Sequence, residues 1–295
     1  MSMSEEEIQP KKSGIVTLVG RSNVGKSTLL NALIGFKMAP VSPRAQTTRW
    51  ALRGVLDDER GQAVFVDTPG LFIDTPDALT RAVNKQVEQN INGIDLLLYV
   101  VDPTREIGQE ERRLLGMVRN IKKKVLVINK IDTGKPKYLF DYEQLGEDEE
   151  FLHTVKISAK TGAHLKSLLN IVFDELPEGE PMYQYEERDP GTFAFKQWVS
   201  EVIREKVFHH VHQEIPYSTH VVIDDVGKRD DGMLEIYARL LTDTERYRPM
   251  LIGKNGQKIK EIGTAARKEL ELILQKKVFL KLDVETDPHW LESVA

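Results

Sequence analysis

The 295-residue sequence contains no cysteine, which excludes disulfide bonds and thiolate metal sites and fits a reducing compartment. Its longest hydrophobic run, LLLYVV at 96–101, is far too short to span a bilayer. The opening stretch MSMSEEEIQPKKSG is polar and acidic with no apolar centre, so no signal peptide is expected and a cytosolic protein is the default. Positive charge is not in excess either: 41 Lys and Arg stand against 46 Asp and Glu, a net charge of −5. That balance argues against a protein that coats nucleic acid, but it leaves room for one local basic site. No internal repeat or low-complexity tract is visible.

A hydrophobic share of 40% in a chain of this length supports two buried cores. Short β-rich runs recur as IVTLV (15–19), AVFVD (63–67), LLLYVVD (96–102) and VLVIN (125–129), followed by a weaker HTVKIS (153–158). Helical-length stretches separate most of them. Near-continuous apolar runs suit strands buried on both faces, and alternation with helices predicts an α/β domain with a mostly parallel sheet. The pattern breaks at ELPEGEPMYQYEERDPG (175–191), whose proline, glycine and acids read as a linker. Beyond it the order predicts a helix over 193–211, strands at 218–226 and 233–241 around the polar turn GKRDDG, a helix over 257–274 and a last strand at 277–285.

Two glycine loops interrupt these elements. The first, Gly20-Arg21-Ser22-Asn23-Val24-Gly25-Lys26-Ser27-Thr28, follows a strand, opens a helix and fits the phosphate-loop pattern G-x-x-x-x-G-K-[ST]. Glycines there let backbone N–H groups close on phosphate oxygens, and the helix N-terminus favours the negative charge. Lys26 would reach the β- and γ-phosphates, and the Ser27 hydroxyl would ligate Mg²⁺. Downstream, Asp67-Thr68-Pro69-Gly70, Asn129-Lys130-Ile131-Asp132 and Ser158-Ala159-Lys160 each close an expected strand, so their loops converge on one edge. Asp67 is placed to hold Mg²⁺ through water, and the Gly70 N–H could sense the γ-phosphate. A carboxylate at Asp132 accepts from N1–H and the 2-amino group of guanine, donors that adenine lacks at those positions, so the nucleotide is GTP and its product GDP. Lys130 would lie over the base and Asn129 would tie the loops together.

The second loop, Gly253-Lys254-Asn255-Gly256, has two residues between its glycines and Gln257 where a phosphate loop needs Lys-Ser. A GxxG loop entering a helix after two strands is a KH signature, which clamps the backbone of about four single-stranded nucleotides. Lys258 and Lys260 join Lys254 in a local basic face, which Arg267 and Lys268 extend and Arg246 and Arg248 adjoin. The triplet of histidines in HHVH (209–212) has no ligand partner at metal spacing and reads as a solvated helix end, while Phe195 and Trp198 read as core.

Phosphate loop, DTPG, NKID and SAK in this order resemble the translation-factor class of small GTPases. With RAQTTRW (44–50) and the KH-like tail, the chain resembles the Era family of bacterial KH-domain GTPases of ribosome assembly, from residue 14 to about 287. The resemblance implies a Ras-like GTPase domain over 14–177, a linker over 178–192 and an α+β type II KH domain over 193–287, with flexible tails at 1–13 and 288–295. It implies Thr48 as the second hydroxyl ligand of Mg²⁺, with Thr47 as the rival, and Lys26, Thr48 and Gly70 as the catalytic groups. Ser22 departs from the proline of many relatives and should stiffen the loop less. Ras-like enzymes orient water with a Gln after the DxxG glycine; here Leu71 and Phe72 follow, which fits either an inactive binder or slow turnover. The family hydrolyses GTP despite such a residue. Asn23 stands where relatives hold K⁺, although Asn is also ordinary turn chemistry. The implied partners are small-subunit ribosomal RNA near its 3′ end and the 30S subunit, for a monomer whose peripheral contact with the inner membrane stays open. The alternative is a signalling GTPase whose tail binds protein or membrane.

Overall fold

The apolar runs form strands because each can be covered on both sides. In a computed structural model that describes residues 11–35, 52–68, 93–182, 193–211 and 214–290, six strands make one sheet and three make another. The expected switch residues Thr47 and Thr48, the positions Pro69, Gly70, Leu71 and Phe72, and most of the expected linker lie outside the described residues.

The first sheet runs in the order β2 (Leu52–Asp58), β3 (Gly61–Asp67), β1 (Lys12–Val19), β4 (Leu96–Val101), β5 (Lys124–Ile128), β6 (His153–Lys156). All neighbouring pairs are parallel except β2–β3. Side-chain alternation along the inner strands divides the core in two. Val16, Leu18, Leu96, Leu98, Val100, Val125 and Val127 face α1 (Lys26–Ile34) and α4 (Leu165–Glu175). Val19, Leu97, Tyr99, Val101, Leu126 and Ile128 face α2 (Gln109–Val118) and α3 (Leu139–Asp148). β1 lies between β3 and β4, so the connection after β1 runs to one side of it and the connection after β3 crosses to the other. The loop after β1 therefore sits at the topological switch point, where open α/β sheets bind ligands.

The second unit follows the order α5 (Phe193–His210), β7 (Thr219–Lys228), β8 (Leu234–Thr242), α6 (Arg248–Ile252), α7 (Gln257–Leu274), β9 (Val278–Thr286). β7 and β8 are antiparallel, whereas β8 and β9 are parallel, the topology expected of a type II KH module. Leu234, Ile236, Ala238 and Leu240 of β8 meet Ile262, Ala266 and Leu270 of α7 and Val199, Val202 and Ile203 of α5 in one core. Trp198 and Phe195 belong to that core, with ring centroids 5.5 Å apart.

Two expected boundaries shift. β1 starts at Lys12, ahead of the apolar run at 15–19 that announced it, because Lys12 and Ser13 pair with Gly61 and Gln62. The C-terminal tail does not begin at 288, since Trp290 is 1% exposed and stacks on His220.

Candidate functional site

The parallel strands place the ends of β1, β3, β4, β5 and β6 on one edge, and the motif residues meet there. Gly20 leaves β1 where a Cβ would come within 2.2 Å of Val100 O, so only glycine fits. Gly25 caps α1 at φ 102°, a left-handed conformation, and a Cβ there would meet Asn129 Nδ2 at 2.4 Å. Both glycines answer a specific crowding.

Lys26 is buried and donates from Nζ to Gly20 O at 2.9 Å and Arg21 O at 3.0 Å, so its ammonium lies inside the loop's curve. Ser27 Oγ donates to Asp67 Oδ2 at 2.6 Å. Asp67 is fully buried, and burial pushes its carboxyl up to about 6 against the opposing pull of Lys26 and the Ser27 hydrogen bond. Its other oxygen, Oδ1, is buried and has no hydrogen-bond partner among the described residues. A hydroxyl beside a carboxylate with an unpartnered buried oxygen suits a hard cation, so these residues fit Mg²⁺. Thr68 is turned away, its hydroxyl bonded to Leu18 O at 2.7 Å.

Asn129 joins two loops: Nδ2 donates to Val24 O at 2.9 Å and Oδ1 accepts from Ala159 N at 2.9 Å. Lys130, at φ 62°, donates to Asn23 O at 2.7 Å and pairs with Asp102 Oδ2 at 2.6 Å. Ser158 Oγ donates to Asp132 Oδ1 at 2.7 Å, which sets the aim of an exposed carboxylate beside the loop. Asn23 is exposed with φ 62°, and Lys160 is exposed. Among the described motif residues, those of the first loop, Asp67, the NKID loop and the SAK loop are thus linked by hydrogen bonds.

Three participants, Asp102, Glu110 and Glu111, lie outside the motifs. Asp102 ends β4 and holds Lys130, and the only sequence signal for it was an acid closing an apolar run. Arg21 lies within the loop, but its partner Glu110 is 89 residues away (2.8 Å). Glu111 is buried, accepts from the hydroxyls of Tyr99 (2.5 Å) and Tyr142 (3.1 Å), and sits 3.7 Å from Arg21. Burial raises its carboxyl above the ordinary value despite those partners.

In the second unit, Gly253, Asn255 and Gly256 have φ of 75°, 52° and 75°, and a Cβ on Gly253 would meet Lys258 Cβ at 2.5 Å. Lys254, Asn255 and Lys260 are exposed, while Lys258 leans to Glu261 at 3.4 Å. Lys260 and Arg267 on α7 also line a cleft of about 1080 Å³ against β9, whose rim adds Arg229, Lys276, Lys277 and Lys281. Sequence reasoning missed those four, although QKKVFLK (275–281) shows three of them together. Arg246 is exposed, and Arg248 donates to Val284 O at 3.2 Å. His210 engages Lys206 O and His209 lies 3.5 Å from Glu205; among the described residues no group of three metal-ligating side chains occurs.

This fold and these loops define a P-loop GTPase joined to a KH module. Residues 15–130 match the family model described as a 50S ribosome-binding GTPase, and residues 214–291 match that of the KH domain. The chain is 38% identical over 293 residues to GTPase Era of Trichlorobacter lovleyi, covering 96% of this chain and 95% of that protein. It is 36% identical to GTPase Era of Neisseria meningitidis serogroup A, with coverage of 96% and 92%. Aquifex aeolicus Era Y63A bound to GDP·AlF4⁻ superposes with a TM-score of 0.84 at 36% identity, covering 95% of each chain. Era in complex with MgGDPNP and nucleotides 1506–1542 of 16S ribosomal RNA gives 0.86 at 35% identity and the same coverage. The chain belongs to the Era family: it is a GTPase carrying an RNA-binding KH domain. No described helix is long and apolar enough to cross a membrane.

Proposed function

We propose that the chain binds GTP at the first loop and single-stranded small-subunit ribosomal RNA near its 3′ end at the second, and that nucleotide state controls the RNA contact during 30S assembly. The observation that carries this reading is the likeness, over 95% of both chains, to an Era solved with MgGDPNP and nucleotides 1506–1542 of 16S ribosomal RNA. Ser27 and Asp67 would hold Mg²⁺, with Thr48 completing the set. When bound, the ion neutralises charge on the β- and γ-phosphate oxygens. Lys26 brings a buried ammonium to the same oxygens, and the Gly70 N–H would report the γ-phosphate. Asp132, aimed by Ser158, would read the guanine edge, and Lys130 would cover the base.

Neither Leu71 nor Phe72 can hydrogen-bond water, so turnover is slow and rests on positioning and charge. Within this reading the exposed Asn23 is a K⁺ ligand beside the phosphates. Hydrolysis should then run faster in potassium than in sodium at equal ionic strength, and Asn23→Ala should remove the difference. Equal rates in the two salts would end the Asn23 role. The whole reading is tested by crosslinking the protein to total cellular RNA with GTP and then GDP. Recovery of 16S ribosomal RNA 3′ ends in one state over the other is expected. Capture of vesicles or proteins without RNA would favour the signalling alternative, including contact with the inner membrane.

A further inference from the structure

Five consecutive carbonyls of the first loop each accept a hydrogen bond from a side chain. Gly20 O and Arg21 O receive Lys26 Nζ, Ser22 O receives Arg105 Nη1 at 2.9 Å, Asn23 O receives Lys130 Nζ, and Val24 O receives Asn129 Nδ2. In a trans peptide the C=O and N–H point in opposite directions, so fixing the carbonyls on side-chain donors leaves the N–H groups to face an anion. Lys26 has its own task at the phosphates, and Asn129 and Lys130 belong to the base-reading motif. Arg105 belongs to no motif, and the middle of the loop depends on it.

We propose that the turn 102–105 is a brace for the phosphate loop, with Arg105 as a positioning residue that governs how long nucleotide is retained. The turn is itself fixed. Asp102 Oδ1 accepts from Thr104 N at 3.0 Å and Thr104 Oγ1 at 2.7 Å, and Arg105 N donates to Asp102 O at 3.1 Å. Asp102, 2% exposed, also supplies the carboxylate that holds Lys130 at 2.6 Å. One rigid turn therefore governs two adjacent loop carbonyls, Ser22 directly and Asn23 through Lys130. The same chain segment grips the loop from outside. Arg21 donates to Glu106 O at 2.9 Å and to Glu110 at 2.8 Å, and Glu110 lies 3.9 Å from Arg105. Asn23 sits at φ 62°, a conformation that L residues adopt infrequently, so without these bonds the loop would relax to shapes with a carbonyl toward the phosphates and lose its preorganisation.

The proposal rests on the reading of the first loop as the nucleotide site. The Arg105 side chain is 39% exposed, so its loss should be moderate and should not unfold the chain. In the full chain, release of a fluorescent GDP with Mg²⁺ present should speed up about threefold to tenfold in Arg105→Ala, the range for one partly solvated charged hydrogen bond. KM for GTP should rise by more than kcat falls, the melting temperature of the nucleotide-free protein should hardly move, and Arg105→Lys should recover part of the retention. Unchanged release in Arg105→Ala would overturn the brace. A fall in melting temperature that accounts for the faster release, with no recovery in Arg105→Lys, would overturn it too. Wild-type protein that fails to bind GTP would instead overturn the site assignment itself.

Discussion

In the proposed reading Asp132 carries the choice of base, through one exposed carboxylate whose aim is set by the Ser158 hydroxyl. Asp132→Asn turns an acceptor into an amide that opposes the guanine 2-amino group, so GTP affinity should drop roughly a hundredfold or more. Xanthosine triphosphate, with a carbonyl at that position, should bind the variant better than GTP does. Competition binding measures both; ATP competing as well as GTP with the unmodified protein would refute the assignment. Asp67 makes a second test, through pH. Burial raises its carboxyl to about 6, so below that pH the empty site holds a proton where a cation should sit. Because the raised group is protonated in the folded protein between its ordinary pKa and about 6, acidification through this window weakens Mg²⁺ rather than strengthening it. The tightening of GDP by Mg²⁺ should fade from pH 7 to pH 5, by up to about tenfold for each pH unit below the Asp67 pKa. Titrating Mg²⁺ at each pH measures this, and a pH-independent Mg²⁺ affinity would contradict it. At this scale the sequence showed the residues that belong to strand-end motifs: Lys26, Asp67, Asn129, Lys130, Asp132 and Ser158. It hid Asp102, Arg105 and Glu111, whose types are ordinary surface types and whose partners Lys130, Ser22 and Arg21 lie 28, 83 and 90 residues away.

At the scale of elements, hydrophobic patterning located the buried strands and missed β2. LRGVLDD has few apolar residues and a glycine, and it forms a strand because it pairs antiparallel with β3 along seven residues. Gly54 also lies against Ile34 Cδ1, where a Cβ would come within 1.9 Å. Tertiary pairing, not local preference, decides that edge. The boundary of β1 was missed for a similar reason, since Lys12 and Ser13 are polar and are recruited by partners in β3. The second unit was more legible, because α7 follows its glycine loop with a clear apolar stripe and β8 alternates from Leu234 to Leu240. The β1–β3 junction offers a stability test. Gly61 has φ 142°, and a Cβ there would lie 1.8 Å from Lys12 O. Gly61→Ala should destabilise the first unit by about 2 kcal/mol or more. Denaturant unfolding would show it as a lower midpoint at unchanged slope, and an unchanged midpoint would mean that the turn before β3 is looser than described.

At the scale of the whole molecule, the proposed reading gives the two glycine loops two phosphate ligands of different shape. The first spans four residues between its glycines and adds Lys26 and Ser27, enough to enclose a triphosphate and its metal. The second spans two and leads into α7, whose Lys260 and Arg267 line a basic cleft against β9. In the proposed reading the attraction to RNA comes from local lysines in a chain of net charge −5, so RNA affinity should fall steeply with salt. The most direct test measures both ligands on two full-length variants, each first shown to be folded, by fluorescence anisotropy. Lys26→Ala should lose GTP and keep its intrinsic RNA contact without nucleotide control. A variant with Lys254→Asp and Asn255→Asp should lose RNA and keep GTP at wild-type affinity. If the double aspartate variant binds RNA as well as the wild type, the second loop is not the RNA clamp, and the account of two independent phosphate sites is wrong.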